Sequence, residues 1–101
     1  MSFVNVIEDT AYIHVPERYN LINTSLIKGQ LEEAYKKGAS KVKVDFKDTN
    51  FIDSSAIRDL TMIYNRVKAD NFSIINVSGD VWKAFHSAKL DEVWNLAEPE
   101  E

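Results

Sequence analysis

Between Lys41 and Asp70 the chain changes its hydrophobic period once, and the change falls at Asp53-Ser54-Ser55. Lys41 to Phe46 alternates lysine with valine before Asp45, which predicts a strand, because successive strand side chains face opposite ways. From Ser54 or Ser55 to about Asp70, Ile57, Leu60, Tyr64 and Val67 share one stripe, with Ile63 beside it. Arg58, Asp59, Asn65, Arg66 and Lys68 lie mostly on the other side. That pattern predicts an amphipathic helix. A strand followed by a short polar loop and a helix is the opening of a crossover unit, so it limits the fold to classes in which helices cover a sheet. It also sets two hydroxyls beside a carboxylate at the positive end of a helix.

The flanking segments extend this order. Phe3 to Ile7 and Ala11 to Val15 are β-prone, and Glu8-Asp9-Thr10 is a turn between them, so a hairpin is predicted. Pro16 has no N–H to donate and ends strand pairing. A helix is predicted from about Asn20 to Lys37, with Ile27, Leu31 and Ala34 on one face, Asn20 or Asn23 as its cap and Gly38 as its left-handed stop. Gly29 weakens that helix by about 1 kcal/mol relative to alanine. Asp70-Asn71 reads as a turn in which either residue tolerates positive φ. Phe72 to Val77 reads as a central strand. Ser78-Gly79-Asp80 opens a third helix, with Val81, Phe85 and Ala88 on one face, and a last short extended piece is expected around Val93-Trp94. The order β-β-α-β-α-β-α implies parallel pairing through crossovers.

Composition narrows the function. The 101 residues suit one domain, and 45% hydrophobic content can fill a core. There is no cysteine, which excludes disulfides and thiolate metal sites and fits a reducing compartment. A net charge of -4 argues against a nucleic-acid backbone as a direct partner. The amino end lacks the basic and apolar regions of a secretion signal, and no apolar run approaches the roughly 20 residues of a membrane span. The expectation is a soluble, cytoplasmic protein without membrane insertion.

A serine at a helix start either caps the helix by accepting an N–H or, once phosphorylated, offers its phosphate to the same donors. Asp53-Ser54-Ser55 supports both readings, and spacing does not separate Ser54 from Ser55. Asp45 and Asp53 flank one loop; a loop-ordering carboxylate and a cap account for them as well as an acid pair would. His14 and His86 have no second ligand near them in sequence, so packed or solvent-facing rings are expected and no metal site is assigned. There is no glycine-rich phosphate loop and no nucleophile elbow. Lys36, Lys37, Lys41 and Lys43 read as a solvated face, and Trp82 and Trp94 as core residues by default. No cofactor is called for and no catalytic residue is assigned.

Val42-Lys43-Val44-Asp45-Phe46 and Phe51-Ile52-Asp53-Ser54-Ser55-Ala56-Ile57-Arg58-Asp59-Leu60 together resemble the core signature of STAS domains, found in bacterial anti-sigma-factor antagonists and sulfate transporters. Phe72 to Val77 and Val81 to Trp94 resemble the strand, helix and Leu-Asp turn that follow. The resemblance covers residues 2–96 as a single domain, with 97–101 an acidic tail. It implies a mixed β-sheet of four to five strands with helices packed mainly on one face. It also implies a non-enzymatic, phosphorylation-controlled partner switch in bacterial transcription or stress signalling. In such a switch the unphosphorylated antagonist binds a serine kinase that doubles as anti-sigma factor, and a serine phosphatase resets the modified form. The family's phosphorylated serine maps onto Ser54, with Ser55 the alternative. The implied partner surface is Asp48, Thr49, Asn50, Asp53, Ser55, Ala56, Arg58 and Asp59, with Glu17 and Tyr19. The chain departs from the family where Ala56 replaces a glycine, where Asp70-Asn71 replaces glycines before the next strand, where Pro16-Glu17-Arg18-Tyr19 replaces a Gly-Glu/Asp-Leu-Asp segment, and in a missing or very short final helix. The alternative is a STAS adaptor or scaffold subunit of a lipid-transport or signalling complex that never uses the serine.

Overall fold

The computed structural model describes residues 2–99; Glu100 and Glu101 of the expected acidic tail lie outside them. Val4–Ile7 (β1) and Thr10–His14 (β2) form the expected antiparallel hairpin, with Glu8 at φ 56° in the turn. Lys41–Asp45 (β4) runs parallel to β2, and Phe72–Ile75 (β6) runs parallel to β4, so the sheet order is β1-β2-β4-β6. The crossovers are Leu21–Lys36 (α1) and Ser54–Val67 (α2). Gly79–Ser87 (α3) follows β6.

Alternation decides which face is covered. Ala11, Ile13, Val15, Val42, Val44 and Phe46 are buried, together with Ile27, Leu31 and Ala34 of α1 and Ala56, Leu60, Ile63 and Val67 of α2. Tyr12, His14, Lys41 and Ser73, which point the other way, are exposed. The helices therefore cover one face of the sheet, and the opposite face is open. Local signals place the helix ends. Asn20 accepts the Asn23 N–H at 3.1 Å and Ser78 accepts the Val81 N–H at 3.3 Å, while Gly38 adopts φ 100° after α1.

Five expectations are corrected. Phe72 to Val77 is not a central strand: β6 stands at the edge of the sheet beside β4 and ends at Ile75, where Asn76 turns to φ 59°. Arg18–Tyr19 (β3) and Phe51–Ile52 (β5) form a separate two-stranded parallel sheet, where the sequence reads only a post-proline segment and a loop. Two-residue strands carry no period; their pairing is visible only once the Asn50 and Phe51 N–H groups meet the Glu17 carbonyl at 2.9 and 3.2 Å. α2 stops at Val67, and the positive φ falls on Lys68 (77°) instead of Asp70 or Asn71, which belong to a 3-10 turn over Ala69–Asn71. The Asn71 side chain donates to the Val67 carbonyl at 2.9 Å and closes that end. The extended piece around Val93-Trp94 is instead a single helical turn, Leu90–Val93 (α4), after Lys89 at φ 60°. Trp94 packs edge-on against Phe85, with ring centroids 5.3 Å apart, and this contact, not extended pairing, sets the segment's course. Ala88 lies beyond the end of α3 and is exposed, not on its buried face.

Candidate functional site

Asp53, not either serine, caps α2. Its backbone is extended, its Oδ1 accepts the Ala56 N–H at 3.1 Å, and its own N–H donates to the Tyr19 carbonyl at 3.1 Å. The small β3–β5 sheet thus delivers Asp53 to the start of the helix. With the cap filled, the Ser54 hydroxyl makes no hydrogen bond among the described residues; Ser54 is the first helical residue and is exposed. Ser55 is half-buried and faces the groove between α1 and α2. The N–H groups of the first turn lie at the open, positive end of the helix.

The loop before the site is held at several points. Thr49 is buried, and its hydroxyl is 3.2 Å from the Val15 carbonyl and 2.9 Å from that of Pro16. Asp45 accepts the Lys47 N–H at 2.9 Å and the Asn76 amide at 3.0 Å. Its slight burial works against ionisation, but these two hydrogen bonds, with His14 and Lys47 nearby, outweigh it and hold the carboxyl below its ordinary value. Asp45 thus orders the loop and Asp53 caps the helix, so the two carboxylates do separate structural jobs. His14 bonds the Asp48 carboxylate at 2.8 Å from the end of β2, and His86 stacks on Trp82 and meets Asp91 at 3.1 Å. Among the described residues no group of three or more such side chains could hold a metal ion.

Tyr19, under the site, is fully buried, and its hydroxyl donates to Asp59 at 3.1 Å. Burial, then the Asp59 charge, pushes the Tyr19 phenol well above its usual range. Burial raises the Asp59 carboxyl, against the opposing pull of the Tyr19 hydrogen bond and Lys28. The Tyr19 ring continues to Phe46 at 6.1 Å and from there to Phe85 at 5.6 Å, so an aromatic row supports the site from below.

Of the expected partner residues, Asp48, Asn50, Glu17 and Arg58 are exposed around Ser54, and Asp53, Ser55 and Asp59 are half-buried. Thr49, Tyr19 and Ala56 are buried and offer no side-chain surface: the first pins the loop, the second anchors β3 to α2, and the third packs α2 on the core. Phe51 lies within the loop from Asp48 to Asp53. It is partly exposed two residues before Asp53, with the Arg18 guanidinium over its ring at 4.1 Å.

A family model described as STAS domain matches residues 4–101, and the chain belongs to that family. Solved structures agree in fold. SpoIIAA, an anti-sigma factor antagonist, in its unphosphorylated form matches with a TM-score of 0.76 at 18% identity, over 90% of this chain and 82% of that one. A putative anti-sigma factor antagonist from Thermotoga maritima, TM1081, matches at 0.74 and 19% identity over 89% and 80%. The Bacillus cell fate determinant SpoIIAA in phosphorylated form matches at 0.69 and 19% identity over 90% and 85%. No curated protein matches the sequence. No helix among the described residues is long and apolar enough to cross a membrane.

Proposed function

We propose that this chain is an anti-sigma-factor antagonist, a cytoplasmic and non-enzymatic partner switch whose state is set by phosphorylation of Ser54. The observation that carries the reading is the free Ser54 hydroxyl: Asp53 fills the cap, and Ser54 stands exposed at the first position of α2. The similarity to SpoIIAA, solved in unphosphorylated and phosphorylated forms, supports it. The partners are a serine kinase acting as anti-sigma factor and an opposing serine phosphatase. Phosphate adds roughly -1.5 to -2 charges. At ~6 Å and an effective dielectric of ~20, each unit of that charge repels the Asp53 carboxylate by roughly 3 kcal/mol, less where water screens. A bound partner removes the water, so the phosphate opposes the complex more than the fold.

The test is incubation with ATP and the purified serine kinase encoded nearest to this chain, followed by phosphosite mapping. Phosphate is expected on Ser54 and lost in Ser54→Ala, and Ser54→Asp should bind the kinase about tenfold more weakly, or worse, which is about 1.4 kcal/mol. No mass gain on Ser54, or a Ser54→Asp variant that binds as tightly as wild type, rules the switch out.

A further inference from the structure

Resting on the partner-switch reading, we propose that the groove between α1 and α2 is a docking seat for a segment of the kinase that carries carboxylates beside apolar side chains. Two independent observations meet there. The first is apolar exposure. α1 buries Ile27, Leu31 and Ala34 against the sheet, yet it presents Leu21 to the groove at 61% exposure, and Met62 of α2 lines the same hollow at 51%. Exposed apolar side chains that face one hollow from two helices expect cover there.

The second observation is charge. The chain as a whole carries -4, but the cations at this groove are Lys28 and Arg58, and neither makes an ion pair with a carboxylate among the described residues. The one acid lining the same hollow, Asp59, is half-buried and engaged by the Tyr19 hydroxyl, and one carboxylate does not balance two cations. The hollow has a volume of about 140 Å³ and runs on into a second of about 90 Å³ farther along the helices, where Arg66 is paired with Glu32. The unmatched charge is therefore positive and sits at the end of the groove nearest Ser54. A second copy of this chain would bring the same two cations against themselves; an acidic segment with apolar anchors matches both features. Ser55 lines the groove and Ser54 precedes it, so phosphate on Ser54 puts negative charge beside an acidic occupant, and the switch acts on this seat directly.

The experiment measures affinity of the full chain for the purified neighbouring kinase by calorimetry, at low and high salt. The variants are Lys28→Gln with Arg58→Gln, Leu21→Gln with Met62→Gln, Ser54→Asp, and Ile7→Gln on the open sheet face as a control. All the altered positions are exposed, and matching thermal unfolding checks that the variants fold. Both groove variants should bind at least tenfold more weakly, the cation variant should lose most of the salt dependence, and Ile7→Gln should bind as wild type. Groove variants that bind as wild type, with Ser54→Asp still weakened, overturn the seat and leave the switch standing. Weakened groove variants with an unaffected Ser54→Asp support the seat and overturn the switch. A wild-type chain that does not bind the kinase overturns both.

Discussion

The two crossover helices lie side by side on one sheet face and are built on opposite plans. α2 puts Ala56, Leu60, Ile63 and Val67 into the core and turns Ser54, Arg58, Asn65 and Arg66 to water. α1 buries Thr24, Ile27, Leu31 and Ala34 and then exposes Leu21, Ile22 and Leu26. Their caps are alike, since Asn20 and Asp53 each accept the N–H three residues on. The difference lies in the outer faces. α2's is polar apart from Met62 and carries the serine; α1's is left apolar at the end beside that serine. Stability therefore draws on one side of α1 and the proposed recognition on another, and substitutions separate them.

The largest contrast is within α1. Leu31→Ala removes a core side chain and should cost about 2–5 kcal/mol. Leu26→Ala, five residues earlier and on the exposed side, should change stability by no more than about 0.5 kcal/mol. Urea unfolding midpoints check both; a comparable loss at Leu26 would mean that the outer face already belongs to the core. A smaller effect is expected at Gly29, where an added Cβ meets nothing within 4 Å. Gly29→Ala should stabilise the chain by about 0.5–1 kcal/mol through helix propensity and a less disordered unfolded chain. An unchanged or lowered melting temperature would show that α1 is not limited by its glycine.

The smallest effect concerns Asp59, the acid between the two helices. Its folded-state carboxyl is raised above the ordinary 3.8, so the folded chain holds this proton more tightly than the unfolded chain. That contribution to stability is complete below the unfolded value and is lost as pH rises through the folded one. Asp59→Asn removes the loss, so the stability of the variant relative to wild type should climb upward from about pH 4, where an unfolded aspartate titrates. A difference that stays flat between acid and neutral pH would show that Asp59 is solvated and that its hold on Tyr19 is weak.

Much of the architecture was legible because it is written in short-range pattern. The lysine–valine alternation of β4, the stripe of α2 and the glycine after α1 each act within one element, and each appears where it was read. The site was legible as a serine at a helix start, but not the division of labour, because Asp53, Ser54 and Ser55 are all acceptable caps. Asp53 takes the role because β3 catches its N–H through the Tyr19 carbonyl. Thr49 looked like a polar loop residue open to a partner and is instead the buried pin between that loop and Val15-Pro16. Nothing near Thr49 in sequence announces carbonyls more than thirty residues away.

By itself the sequence determined the periods, the β1–β2 turn and the starts of α1, α2 and α3, because those follow from backbone geometry and hydrogen bonds that close within a few residues. Only the tertiary structure decided which apolar side of α1 meets the sheet, that two dipeptides pair as β3 and β5, and that Tyr19 reaches Asp59. Each of these depends on groups that become neighbours only after the crossovers have closed. The exposed side of α1 and the free hydroxyl of Ser54 are what that closure leaves at the surface.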